Sequence, residues 1–191
     1  MLCVEICSAA YVFDGSMRSS VVNSLFGDGA AAIGVIASAD HRTTRGPAIL
    51  KFESQIITSA IHAMRYEWDD FHGKLSFFLD PEIPYIIGSH IGETLGGLLA
   101  GTGVRRSDIA HWIIHSGGKK VIDSFRVNLG LSKYDVRHTL SVLRDYGNLS
   151  SGSFLFSYER LVQEQKAHEG DLGVMITMGP GSTIEAALLK W

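Results

Sequence analysis

The run Trp112-Ile113-Ile114-His115-Ser116-Gly117-Gly118 and the later run Tyr146-Gly147-Asn148-Leu149-Ser150-Ser151 each deliver one uncharged polar side chain after an apolar or glycine-rich stretch. An imidazole N–H and a carboxamide N–H aimed at one carbonyl oxygen make an oxyanion hole from side chains, suited to an enolate or a tetrahedral intermediate in a site that excludes water. Each residue also has a plain structural reading. A His at the end of a strand is most often structural, and an Asn after Gly is most often a turn residue or a helix cap. Together the two favour the chemical reading. The chain lacks an obvious nucleophile to go with them.

Positioning these groups requires a sheet and the turns at its ends. Residues 112–115 read as a buried strand delivering His115 into a small-residue turn, where Gly117 and Gly118 let a ligand reach the backbone. Residues 119–129 follow as a helix ended by Gly130. Ser132 is expected to cap a helix running to about Asp145, and Ser150 or Ser151 a further one to about Gln165. Upstream, residues 2–13 read as a strand closed by Asp14-Gly15-Ser16, and residues 19–24 as a short helical turn. The small-residue run from Leu25 to Ile36 suits a buried strand closely approached by another element. Ala48 to Ile57 alternates as a half-exposed strand, residues 58–74 are polar, aromatic and irregular, and Pro84 to Leu99 carries apolar residues at helical spacing, stopped by Gly101-Thr102-Gly103. Asp171 to Met178 and Thr183 to Leu189 read as two closing strands joined by Gly179-Pro180-Gly181-Ser182. The interleaving predicts an α/β fold with a largely buried sheet.

Composition narrows the function classes. The 191 residues are 46% hydrophobic and 19% charged, enough for one substantial core. Seventeen Lys plus Arg against twenty Asp plus Glu give a net charge of −3 without a like-charge block, which argues against a nucleic-acid partner. No apolar run approaches the length of a membrane span, and the opening Met1-Leu2-Cys3-Val4-Glu5 lacks the pattern of a signal peptide. Cys3 and Cys7 fall on one face of the expected first strand, unable to form a disulfide, and a reducing, cytoplasmic setting fits them. Cys7 reads as a buried structural thiol, since no helix N-terminus lowers its pKa. Gly27-Asp28-Gly29-Ala30-Ala31-Ala32 looks like a loose dinucleotide fingerprint in the wrong context, entering a strand rather than a helix, so no organic cofactor is expected. Lys119 and Lys120, in the first turn after His115, read as a solvated helix face, with approach to a substrate phosphate as the alternative.

Leu25-Phe26-Gly27-Asp28-Gly29-Ala30-Ala31-Ala32, Leu75-Ser76-Phe77, His115-Ser116-Gly117-Gly118, Tyr146-Gly147-Asn148-Leu149-Ser150-Ser151 and Gly179-Pro180-Gly181-Ser182-Thr183-Ile184-Glu185 occur in the order and at the separations seen in type III polyketide synthases. The resemblance to this chalcone synthase-like branch of the thiolase superfamily spans essentially the whole chain. His-Ser-Gly-Gly-Lys-Lys in place of the commoner His-Pro-Gly-Gly, with Arg144-Asp145-Tyr146-Gly147-Asn148 and the ending from Glu185 to Trp191, looks most like the bacterial 3,5-dihydroxyphenylacetyl-CoA synthases.

The resemblance implies a thiolase-like fold, a mixed sheet with packed helices, of which this chain is the C-terminal half. It implies that His115 and Asn148 hold the thioester carbonyl of malonyl-CoA during decarboxylation and then the oxyanion of a Claisen condensation. Phe26 and Phe77 match the aromatics between the CoA tunnel and the elongation cavity, with Gly117 and Gly118 beside the substrate. The family's nucleophilic cysteine aligns before residue 1, so Cys3 and Cys7 cannot take its place. The implied partners are malonyl-CoA and acyl-CoA substrates, an N-terminal segment bearing that cysteine, and a second copy of the enzyme in a homodimer. Neither metal nor organic cofactor is implied, and without the cysteine the chain is expected to be inactive and to expose the sheet face and helix its other half would cover. Competing readings are another condensing enzyme of the 3-oxoacyl-carrier-protein synthase III type, disfavoured by the Gly179–Glu185 ending, and a non-catalytic partner lacking the nucleophile.

Overall fold

A computed structural model describes residues 1–37 and 46–191. Its centre is a mixed four-stranded sheet in the order β3-β8-β7-β6, formed by β3 (Ala48–Ile56), β6 (Ile109–Ile114), β7 (Leu172–Gly179) and β8 (Thr183–Lys190). β6 and β7 run parallel, with Ile114 opposite Ile176, while β7–β8 and β8–β3 are antiparallel. Strand alternation sorts the core into two layers. Trp112, Ile114, Val174, Ile176, Ile184, Ala186 and Leu188 face a large core shared with α2 (Ile83–Leu99) and α3 (Lys119–Asn128). Ile113, Ala187 and Leu189 face the opposite way, against Leu161 on α5 (Ser153–Glu164). The sheet is covered by helices on both faces, which is why β6 through β8 read as near-continuous apolar runs.

The helical period expected over residues 84–99 is present in α2, with Ile87, Ile91, Leu95 and Leu98 buried and Gly101 at φ 75° behind its last turn. Elsewhere tertiary partners override local reading. The strand expected over residues 2–13 stops early: β1 is Leu2–Glu5, and Cys7–Ala10 form a 3₁₀ turn, so Cys7 does not share a strand face with Cys3. That turn is held from outside, because the Asp28 carboxylate accepts from both Ser8 N (2.8 Å) and Ser8 Oγ (2.6 Å). The helical turn expected at residues 19–24 is a full helix, α1 (Met17–Leu25), with Ser16 as its cap. The run expected as a buried strand yields only β2 (Gly29–Ala32), half-exposed because it pairs with β1 alone in a two-stranded ribbon. The close approach inferred from its small residues is real, since a Cβ at Gly29 would lie 3.0 Å from Leu149 Cδ2.

Residues 58–74 are more regular than expected. β4 (Met64–Asp69) pairs with β5 (Lys74–Leu79) in a hairpin that places Tyr66 opposite Phe77 and Trp68 opposite Leu75. Ser132 does not cap α4 (Arg137–Tyr146): it exchanges hydrogen bonds with Asp135 in a separate turn before the helix begins. Nor do Ser150 and Ser151 cap α5, since Ser150–Gly152 are themselves a 3₁₀ turn and Gly152 precedes the helix. Apolar side chains stay bare on β3, where Phe52 is 70% exposed and Ile56 57%, and on β1, where Leu2 is 70% exposed. Among the described residues no helix is long and apolar enough to cross a membrane.

Candidate functional site

His115 is placed by the end of β6. The Ile114 carbonyl accepts from Thr139 Oγ1 on α4 (3.0 Å) and Ser157 Oγ on α5 (3.4 Å), while His115 N–H adds one more rung to Ile176 O (2.9 Å). The strand then breaks, because Gly118 sits at φ 126°, a conformation that favours glycine, and α3 begins at Lys119. Gly117 has a different task. A Cβ there would lie 3.0 Å from His115 Cδ2, so its absence gives the imidazole its place against the turn.

The ring is 5% exposed, and neither nitrogen has a hydrogen-bond partner among the described residues; Nδ1 is fully buried and unpaired. Buried polar atoms are rarely left so, and an unpaired one points to a ligand or partner. Burial pushes the His115 pKa down to about 4, so the ring is neutral at pH 7, with one donor and one acceptor nitrogen. An adjacent thiolate would favour the imidazolium instead.

A pH dependence follows. A His with an ordinary value near 6.5 when unfolded and about 4 when folded binds its proton first in the unfolded chain, so stability is full above 6.5 and falls as pH falls towards 4. The expected loss is about 3 kcal/mol over that window. Urea unfolding between pH 7 and pH 4.5 checks it: His115→Ala should flatten the slope. A smaller slope of the same sign should persist from His138, whose pKa is lowered by burial and then by Arg137.

Asn148 lies in the loop between α4 and α5 and is 4% exposed. Its carboxamide oxygen accepts from Ser150 N (2.9 Å) and Ser153 Oγ (3.3 Å), which orients the amide and leaves its N–H₂ without a protein acceptor among the described residues. Its backbone is bridged in parallel to the segment after α1: Asn148 N–H donates to Leu25 O (2.9 Å) and Gly27 N–H to Asn148 O (3.0 Å). The His115 loop joins the same neighbourhood. Ser116 Oγ donates to Gly147 O (3.2 Å), and a Cβ at Gly118 would meet Leu25 Cδ1 at 3.4 Å. The two candidate donors thus sit on adjoining loops: that of Asn148 is bonded to Leu25 and Gly27, and that of His115 is bonded to Gly147 and lies against the Leu25 side chain.

Phe26 carries that junction to a cavity of about 390 Å³, whose wall includes Cys7, Tyr11, Phe26, Tyr66, Trp68 and Phe77. The Phe26 and Phe77 rings meet edge to face at 5.3 Å, and Phe77 also packs on Tyr66 at 5.0 Å. His115, Asn148, Gly117 and Gly118 are not in this wall, and Asn148 is joined to it through its backbone bridge to Phe26. Cys7 is in it, but burial, with Glu5 and Asp28 nearby, pushes its thiol up to about 11, which removes it as a thiolate at neutral pH.

The residues from Asp69 to Trp191 match the family described as chalcone and stilbene synthases, C-terminal domain. The chain belongs to this family. It is 64% identical over its whole length to a 3,5-dihydroxyphenylacetyl-CoA synthase of Amycolatopsis orientalis and 65% identical to one of Amycolatopsis balhimycina, covering 51% of each. The chain therefore spans about half the length of these curated relatives. Among solved structures, the 1,3,6,8-tetrahydroxynaphthalene synthase of Streptomyces coelicolor A3(2), a bacterial type III polyketide synthase, superposes with a TM-score of 0.87 at 27% identity, over 100% of this chain and 53% of that one. The α/β thiolase-like fold implied by the sequence is thus the fold observed.

Within this chalcone synthase-type fold, the aromatic wall from β4 is what sequence reading missed. The signal was the two-residue alternation Met64, Tyr66, Trp68 against Arg65, Glu67, Asp69, obscured by the charged residues between the aromatics. Lys119 bears out the solvated-face reading, pairing with Asp123 at 2.7 Å on an exposed surface. Gly27-Asp28 enters β2 rather than a helix, so the run does not stand at the strand-to-helix turn of a dinucleotide fingerprint.

Proposed function

We propose that this chain is the C-terminal half of a type III polyketide synthase condensing malonyl-CoA units into a cyclised aromatic acyl-CoA such as 3,5-dihydroxyphenylacetyl-CoA. The observation that carries the reading is the buried imidazole of His115, unpaired among the described residues, on a loop bonded to the loop of Asn148, whose amide N–H₂ has no acceptor among them either. The names of the relatives support the product class.

In this reading the thioester oxygen of malonyl-CoA accepts from His115 and from the Asn148 amide. The carboxylate leaves as CO₂, and its bonding electrons form an enolate that the two donors stabilise. The enolate carbon attacks an acyl thioester on the cysteine of the N-terminal half, forming the C–C bond and releasing the thiolate. The same donors serve the intervening oxyanion. Phe26 and Phe77 wall the enolate from water, and Gly117 and Gly118, without side chains, present backbone to the substrate beside the imidazole. No metal or organic cofactor enters these steps, the CoA thioesters being substrates.

The N-terminal half would cover the bare apolar faces of β3 and β1, and the completed enzyme would be a cytoplasmic homodimer, inactive as this chain alone. The test joins this chain to a cysteine-bearing N-terminal half and supplies malonyl-CoA alone. CO₂ release with an aromatic acyl-CoA product is expected. A requirement for an acyl-carrier-protein substrate would instead indicate the 3-oxoacyl-carrier-protein synthase III type, and no condensation at all a non-catalytic partner.

A further inference from the structure

Phe26 is held from four directions. Its N–H donates to Val22 O at the end of α1, its flanking residues Leu25 and Gly27 make the bridge to Asn148, and its ring packs on Phe77. In a parallel bridge of this kind the bonds to Asn148 use Leu25 O and Gly27 N, so the carbonyl of Phe26 itself points away from the bridge and needs another donor. That donor is the hydroxyl of Tyr11.

Tyr11 follows the 3₁₀ turn of Cys7–Ala10, and Ser8 within the same turn binds the Asp28 carboxylate through both its N–H and its hydroxyl. The turn thus grips the stretch from Phe26 to Asp28 at both ends. We infer that Tyr11 is a positioning residue for the proposed condensation: its hydroxyl, bonded to the Phe26 carbonyl, fixes the Phe26 ring in the cavity wall and, through the Leu25–Gly27 bridge, the Asn148 amide. Burial first, then Asp28 and Cys7, hold the phenol above its usual range, so it remains a donor throughout the neutral and mildly alkaline range.

The inference rests on the function proposed above and makes a distinct demand. With the Phe26 segment loosened, water reaches the enolate. The enolate carbon then takes a proton from water and leaves as acetyl-CoA, so malonyl-CoA plus a proton yields acetyl-CoA plus CO₂ rather than a new C–C bond.

The experiment uses the enzyme completed with its cysteine-bearing half and compares wild type with Tyr11→Phe, which removes the hydroxyl alone. Condensation kcat is expected to fall about five- to tenfold, with KM for malonyl-CoA within twofold. The ratio of acetyl-CoA to condensed product is expected to rise severalfold. Ser8→Ala should shift the ratio in the same direction and serves as the reading if Tyr11→Phe does not yield folded protein. An unchanged ratio overturns the inference whatever happens to thermal stability, because a merely structural tyrosine would lower the amount of active enzyme without redirecting it. Asn148→Ala and His115→Ala assayed alongside separate the two failures. Should Asn148→Ala and His115→Ala both leave decarboxylation intact, the proposed function falls; should Asn148→Ala lower decarboxylation as expected while Tyr11→Phe keeps the wild-type ratio, only the role of Tyr11 falls.

Discussion

His115→Ala and Asn148→Ala are each expected to lower malonyl-CoA decarboxylation by roughly 10²–10³-fold in the completed enzyme, the usual cost of removing one oxyanion donor. The two should be strongly non-additive, since both donors serve one oxygen and the reaction fails once either is missing. Folding should survive both changes. His115 makes no side-chain hydrogen bond among the described residues, so its removal orphans nothing and relieves a buried unpaired nitrogen. Asn148→Ala gives up the bonds from Ser150 N and Ser153 Oγ but keeps the backbone bridge to Leu25 and Gly27. Single-turnover release of CO₂, read beside urea midpoints, checks both halves of the expectation. Decarboxylation at the wild-type rate in both variants refutes the assignment.

Gly27→Ala is expected to be the most damaging conservative change in the chain. A Cβ at residue 27 would lie 2.4 Å from the backbone oxygen of Tyr146, a distance no Cβ tolerates, and the obstacle is main chain rather than a flexible side-chain tip. The segments carrying Phe26 and Asn148 must separate, which breaks the hydrogen bonds between Gly27 and Asn148 and between Asn148 and Leu25. A cost of about 2–4 kcal/mol in stability follows from overpacking plus lost buried bonds. Activity should fall about 10²-fold further, as a misplacement near 1 Å does. Gly92→Ala is the control. It lies within α2 with nothing near its absent Cβ, and there the substitution should raise stability by up to about 1 kcal/mol. Urea midpoints and kcat for the two variants decide the matter, and equal behaviour would contradict the close approach.

How much of this was legible beforehand depended on where each residue finds its partners. α2, β6, β7 and β8 were readable because their apolar periods are local and long. β4 was missed although its alternation is present, because the charged residues between its aromatics lower the apolar signal, and Tyr66 and Trp68 themselves stand exposed on the hairpin. Helix starts were misplaced at Ser132 and Ser150, since a Ser can serve a local turn as readily as a helix end, and Asp135 and Asn148 decide which.

From the sequence alone came the interleaved α/β order and the choice of His115 and Asn148, which depend on residue type, spacing and short-range period, and the resemblance to type III polyketide synthases, which implied Phe26 and Phe77. Only the tertiary structure decided that Cys7 stands in a turn with its pKa raised, that His115 is buried without a side-chain partner among the described residues, and that the loop of His115 is bonded to the loop of Asn148, which is in turn bonded to Leu25 and Gly27. The physical reason is that desolvation and hydrogen bonding are set by whichever groups the fold brings alongside. Here those groups, Asp28 for Ser8, Gly147 for Ser116 and Leu25 for Asn148, are remote along the chain.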